Sequence, residues 1–179
     1  MQYLKQLADT ALSSSVFRLL TGSVIRLVAA IQAIMNRAYA NYLWPEARQK
    51  DVYIHWNTRV KCPENIQFGQ SVRIGPNCVL GAMVAIKIGD NARISEGVCI
   101  ETGGLDFSKP PPYPHTAKPI VIGDGVWLGF GSTILGGVTI GDRSIIGSGV
   151  VVTKDVPPDS IIVSQPNRAI LKKTDRGFP

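Results

Sequence analysis

From Ile122 the chain reads Ile122-Gly123-Asp124-Gly125-Val126-Trp127-Leu128-Gly129-Phe130-Gly131-Ser132-Thr133-Ile134-Leu135-Gly136-Gly137-Val138-Thr139-Ile140-Gly141-Asp142-Arg143-Ser144-Ile145-Ile146-Gly147-Ser148-Gly149-Val150-Val151-Val152. A large apolar residue stands at every sixth position: Ile122, Leu128, Ile134, Ile140, Ile146 and Val152. A small residue usually follows it, and a small or β-branched one comes four places later. A helix turning every 3.6 residues cannot keep such a stripe on one face. A short strand followed by a turn can. Each hexapeptide then forms one flat side of a prism with its apolar residue inside, and Gly at the corners accepts dihedrals that other residues resist.

Upstream the same stripe runs through Phe68, Ile74 and Leu80, and after two extra residues through Ile88, Ile94 and Ile100. Three sides make one coil, so these units predict about four stacked coils, above the roughly three that such arrays need. The strands of an ordinary β-sandwich are longer and alternate strictly, which this pattern does not do.

The 179 residues suit one domain, and 45% hydrophobic against 18% charged residues excludes a mostly disordered chain. Lys plus Arg number 19 against 13 acidic residues, a net +6 that favours anionic partners. Three Cys without a secretory leader predict the cytoplasm and no disulfide framework. Cys62, Cys78 and Cys99 lack paired spacing, and with two His they do not suggest a zinc site. No recognition helix or aromatic-laced basic stripe points to nucleic acid. No Gly-rich phosphate loop opens the chain as in a nucleotidyltransferase.

Residues 1–50 lack the period. Leu19, Leu20, Ile25, Leu27, Val28, Ile31, Ile34, Met35, Leu43 and Trp44 recur at helical spacing, which predicts one or two amphipathic helices broken near Thr21-Gly22-Ser23. Arg18, Arg26, Gly22 and the polar residues there argue against a membrane span. Residues 16–44 are read either as a cap over the open end of the prism, hiding unpaired strand edges, or as a basic helix lying peripherally on the inner face of a membrane. Residues 51–157 are the prism, interrupted by a loop at 103–119. Four Pro before His115 predict an extended, stiff excursion there. After Pro157-Pro158 the pattern dissolves, leaving 158–179 as a short basic tail.

The triplets Ile122-Gly123-Asp124 and Ile140-Gly141-Asp142, with Ile146-Gly147-Ser148-Gly149, resemble the hexapeptide-repeat acyltransferases. The resemblance covers about residues 52–173. It is strongest to the sugar O-acetyltransferase branch that includes the galactoside, maltose and colanic-acid-type exopolysaccharide enzymes. The stretches carrying it are residues 118–129 and Val151-Val152-Thr153-Lys154-Asp155-Val156-Pro157-Pro158. It implies an all-β fold, a left-handed parallel β-helix, with an N-terminal α-helical segment, the loop and a short C-terminal segment. The hand comes from the family; general crossover rules favour the opposite one. It also implies acetyl-CoA as co-substrate, a saccharide or lipid-linked sugar as acceptor, a role in polysaccharide biosynthesis, and a homotrimer with the coenzyme between neighbouring prisms.

Acyl transfer to a hydroxyl needs a base, and imidazole suits that role near neutral pH. The family places its catalytic His in a Thr-Gly-Ser-His-Asp pattern just before the loop. Here the matching run is Thr102-Gly103-Gly104-Leu105-Asp106, with Leu105 at the His position. Three readings stand open: His115 on the loop's far arm reaches the same site, the chain is a non-catalytic scaffold or sugar- or coenzyme-binding relative, or Asp106 or Glu101 serves as base. His55, beside Trp56, is read as structural, and Cys78 as buried and inert. For the coenzyme, the resemblance assigns Trp127 to the pantetheine arm, though lateral packing explains it equally. It sets Gly129 and Ser148 along the slot, Thr153 and Lys154 near the coenzyme, and Arg168 at its phosphates. The family's Gly-x-Pro-Ala-basic turn reads Ser164-Gln165-Pro166-Asn167-Arg168 here. It keeps the Pro and the basic residue, with Ser164 replacing Gly.

Overall fold

The structure, a computed structural model, describes residues 15–164. Short parallel strands wind into a three-sided solenoid. The first face stacks six strands, from Tyr53–Ile54 through Arg73–Ile74, Arg93–Ile94, Trp127–Leu128 and Ile145–Ile146 to Ile161–Ile162. The second face stacks five, from Arg59–Lys61 to Val151–Val152, and the third four, from Ile66–Phe68 to Thr139–Ile140. Partners sit in strict register: Ile74 pairs with Ile94, Leu80 with Ile100, and Ile122 with both Ile88 and Ile140.

The six-residue stripe is the core. Ile74, Leu80, Ile100, Leu128, Ile134, Ile140 and Ile146 have no exposed surface, and each such side chain contributes about 1.5–3 kcal/mol by leaving water. Cys78 is also fully buried and donates its Sγ–H to Ser95 O at 3.1 Å. Burial pushes its thiol pKa up, as expected of an inert cysteine.

The Ile-Gly-Asp triplets have a physical basis. Asp124 Oδ1 accepts the Asp90 N–H at 2.7 Å, and Asp142 Oδ1 accepts the Asp124 N–H at 2.9 Å. Each carboxylate reaches back one coil and fills the space where a side chain on the preceding glycine would stand. A Cβ on Gly123 would meet Asp142 Oδ1 at 2.3 Å and Asp142 N at 2.7 Å. Gly123→Ala is therefore expected to cost about 1–3 kcal/mol, the scale of overpacking. An unchanged urea midpoint would mean that the coils separate freely at this corner.

The predicted break at Gly22 does not occur. One helix, α1, runs unbroken over Ser15–Leu43. A helical Gly costs only about 1 kcal/mol relative to Ala. Ser23 also stays within the helix, its hydroxyl donating to Leu19 O at 2.9 Å. The end of α1 closes the solenoid. Trp44 is buried edge-on against Phe68, with ring centroids 4.8 Å apart, and its indole N–H donates to Pro63 O at 2.8 Å. Buried Asn36 donates to the Tyr53 hydroxyl at 2.7 Å and accepts the Trp56 N–H at 2.8 Å. His55 bridges Asn57 and Gln32. Asn57 Oδ1 can only accept, so Nδ1 carries the proton and Nε2 accepts from the Gln32 amide. The cap is confined to this end: Leu20, Leu27 and Ile34 are 62%, 61% and 69% exposed. By length and composition α1 could cross a membrane, with mean hydropathy 1.5 over its most apolar 18-residue window within Leu19–Leu43.

The coil does not stop at Pro157-Pro158. Ile161–Ile162 pairs with Ile145–Ile146 and begins a sixth coil. Two prolines read as a terminator here only turn the corner. Residues 165–179, with Arg168, lie outside the described residues.

Candidate active site

The interruption at 103–119 is more ordered than a stiff loop. Gly103–Leu105 and His115–Ala117 form an antiparallel ribbon projecting from the edge between the second and third faces. Beyond them the chain bends through the four prolines. Phe107 packs edge-on against Tyr113, with centroids 5.1 Å apart, and Asp106 N–H donates to Pro114 O at 2.9 Å. The ribbon leaves the prism undisturbed, because Ile120–Ile122 resumes the third face in register with Ile86–Ile88.

In that ribbon His115 is the direct partner of Leu105. Side chains at opposed positions stand on the same side of a two-stranded ribbon, with Cβ atoms about 4.5–5.5 Å apart. The exposed imidazole of His115 therefore stands beside the position that the hexapeptide resemblance assigns to a histidine. Next to it opens a cleft of about 390 Å³ whose lining includes Leu105, Phe107, Thr116, Lys118 and Leu135.

The other two base candidates are engaged. Asp106 Oδ1 accepts the Ser108 hydroxyl at 2.6 Å and the Ser108 N–H at 3.0 Å, and these bonds hold its carboxyl below the usual range. A base stabilised as its anion is a weak proton acceptor. Glu101 Oε1 accepts the Gly103 N–H at 3.0 Å, at the root of the ribbon.

The coenzyme candidates fall on two edges. Trp127 lies on the first face, half exposed, its indole N–H donating to Ser95 Oγ at 3.0 Å one coil below. Ser95 was not singled out from sequence, and its place one coil before the indole was the available signal. Gly129 and Ser148 turn the next edge, between the first and second faces. Gly129 is buried there, and its N–H donates to Ile146 O at 2.7 Å. A Cβ on it would meet that oxygen at 2.7 Å, so coil stacking alone requires this glycine. Ser148 is exposed and makes no hydrogen bond among the described residues, leaving its N–H and hydroxyl for a ligand. A Cβ at neighbouring Gly131 or Gly149 would meet nothing within 4 Å, so this edge can take a thin chain laid against it.

Thr153 and Lys154 follow Val151–Val152, on the edge that also carries the ribbon, two coils further along. Both are exposed. Within one chain the fold thus groups His115 with Thr153 and Lys154. It sets Trp127 on the first face and Ser148 on the edge beyond it, across the second face.

Comparison with known proteins agrees with the hexapeptide solenoid. The model of the bacterial transferase hexapeptide (six repeats) matches residues 119–154, and that of the hexapeptide repeat of succinyl-transferase matches residues 71–101. Galactoside O-acetyltransferase of Escherichia coli is 34% identical over 134 residues, covering 67% of this chain and 63% of that protein. A maltose O-acetyltransferase from Clostridium difficile superposes with a TM-score of 0.59 at 30% identity, over 75% of this chain and 80% of that one. A hexapeptide-repeat-containing acetyltransferase from Vibrio cholerae, complexed with acetyl coenzyme A, gives a TM-score of 0.64 at 27% identity over 88% of each chain. The solenoid is accordingly a left-handed parallel β-helix. The matches span 53%, 63% and 58% of the first three curated relatives' own lengths.

Proposed function

The chain belongs to the hexapeptide-repeat acetyltransferases, and from that premise we propose that it transfers an acetyl group from acetyl-CoA to a hydroxyl of a saccharide or lipid-linked sugar. The observation that supports this reading is the pairing of His115 with Leu105, which sets an imidazole beside the position that the resemblance assigns to a histidine. Neutral His115 takes the acceptor's hydroxyl proton as the oxygen attacks the thioester carbonyl. The tetrahedral intermediate collapses, the carbon–sulfur bond breaks, and the imidazolium returns the proton to the leaving thiolate. The products are an O-acetyl sugar and free coenzyme A.

The assembly we propose is a homotrimer. The separation of Trp127 and Ser148 from His115 and Lys154 supports it, since a neighbouring prism can bring the two edges together. Lys154, and Arg168 beyond the described residues, are assigned to the coenzyme's phosphates. Exposed apolar α1 supports peripheral contact with a membrane, which suits a lipid-linked acceptor in polysaccharide biosynthesis at the cytoplasmic face.

Leu105 favours a second reading, a coenzyme- or sugar-binding relative without turnover. Thiol release from acetyl-CoA, measured against a panel of oligosaccharides and nucleotide sugars, separates the two. Acceptor-dependent release is expected. Coenzyme binding without release on any acceptor would establish the second reading.

A further inference from the structure

We propose that the cleft between α1 and the first coils is a seat for the phosphate of an anionic phospholipid headgroup, so that α1 docks on a charged bilayer in one fixed orientation. This rests on the reading of α1 as a membrane-contacting helix and adds the site that orients it.

The cleft has a volume of about 480 Å³, and its lining includes Asn36, Arg37, Asn41, Arg48, Asp51 and Arg73. Asp51 is the one acid in that lining, and it is already neutralised. Its Oδ2 accepts from Arg73 Nη2 at 2.6 Å and from the Ser71 hydroxyl at 3.1 Å, while Arg73 Nη1 also reaches Asp51 O. Arg37 and Arg48 have no acidic partner among the described residues. Two uncompensated guanidinium groups beside the Asn41 amide suit a phosphate, because the planar fork matches its oxygens.

The geometry of α1 points the same way. Leu20, Val24, Leu27, Ile31 and Ile34 recur at three- and four-residue spacing and form one exposed stripe. Asn36 and Ala40, which are buried, mark the side that meets the coil. Arg26 and Arg37, eleven positions apart, share a line between that side and the stripe. An apolar stripe laid into the acyl boundary therefore sets the arginines and the cleft at headgroup level. Ser15–Leu43 contains no Asp or Glu. A bundle of α1 copies would gather arginines with no acid on the helix to offset them, whereas an anionic bilayer neutralises them.

The test uses the full chain and its co-sedimentation with phosphatidylcholine vesicles, with and without phosphatidylglycerol. Wild type is expected to bind the anionic vesicles strongly and the neutral ones weakly. At about fivefold per basic side chain near such a surface, Arg37→Gln/Arg48→Gln should lower partitioning about 25-fold. Lys61→Gln/Lys87→Gln, which removes equal charge from the second and third faces, should leave it nearly unchanged. Equal losses in both pairs would reduce the cleft to diffuse charge and overturn the proposal. Equal wild-type binding to both vesicle types would also overturn it. If wild type binds neither, the membrane reading of α1 itself fails. A changed sedimentation coefficient for Leu27→Gln/Ile34→Gln would then assign the stripe to a contact between copies of this chain.

Discussion

His115→Ala is expected to lower kcat by about two to four decades, the scale of losing a general base, while coenzyme KM stays close to its original value. The base must accept a proton as the acceptor oxygen attacks, and alanine cannot. The phosphate contacts are assigned to other side chains, Lys154 two coils further along the same edge and Arg168 outside the described residues, so ground-state binding is spared. Because position 105 opposes position 115 in the ribbon, Leu105→His in the alanine background is expected to restore part of the rate. That rescue separates catalysis from a merely structural role, which a new histidine across the ribbon would not repair. A fully active His115→Ala protein would remove His115 from the mechanism. Asp106 would make a poor substitute, because Ser108 holds its carboxylate ionised.

The second large effect concerns the opposite edge. Ser148→Trp is expected to raise coenzyme KM about a hundredfold, a loss near 2.7 kcal/mol. Ser148 is exposed on an edge where its neighbours Gly131 and Gly149 leave open space. An indole fits there without disturbing the core, so the fold should survive. The same indole fills the slot in which a pantetheine chain would lie. An unchanged KM in a folded Ser148→Trp protein would mean that the coenzyme uses another edge.

The core was legible in the sequence because its rule is local. Each inward position must be apolar and each corner small, so Ile122, Leu128, Ile134 and their counterparts announce the prism without any knowledge of pairing. The Ile-Gly-Asp triplets were legible as a motif but not as a mechanism, since the Asp142 carboxylate acts on the coil before its own. Other features depended on relations between distant residues. The opposition of His115 and Leu105 exists only once the loop folds back as a ribbon. The helix break was misread because Gly22 carries a penalty that one exposed helix absorbs. The sixth coil was hidden because Pro157-Pro158 resembles an ending, while Ile161–Ile162 is too short to declare itself. The division of the candidate site between two edges follows from counting the sides of the coil, which the family motifs do not reveal.

In the proposed trimer one site draws His115 from one subunit and Ser148 from its neighbour. His115→Ala and Ser148→Trp proteins, each inactive alone at limiting coenzyme, can be mixed in equal parts under conditions that let subunits exchange. In randomly assembled trimers about a quarter of the sites then combine an intact His115 with an intact Ser148. Acetyl transfer should recover to about a quarter of the wild-type rate. A mixture that exchanges subunits yet stays as inactive as its parents would contradict the claim, because both residues would then have to come from the same chain.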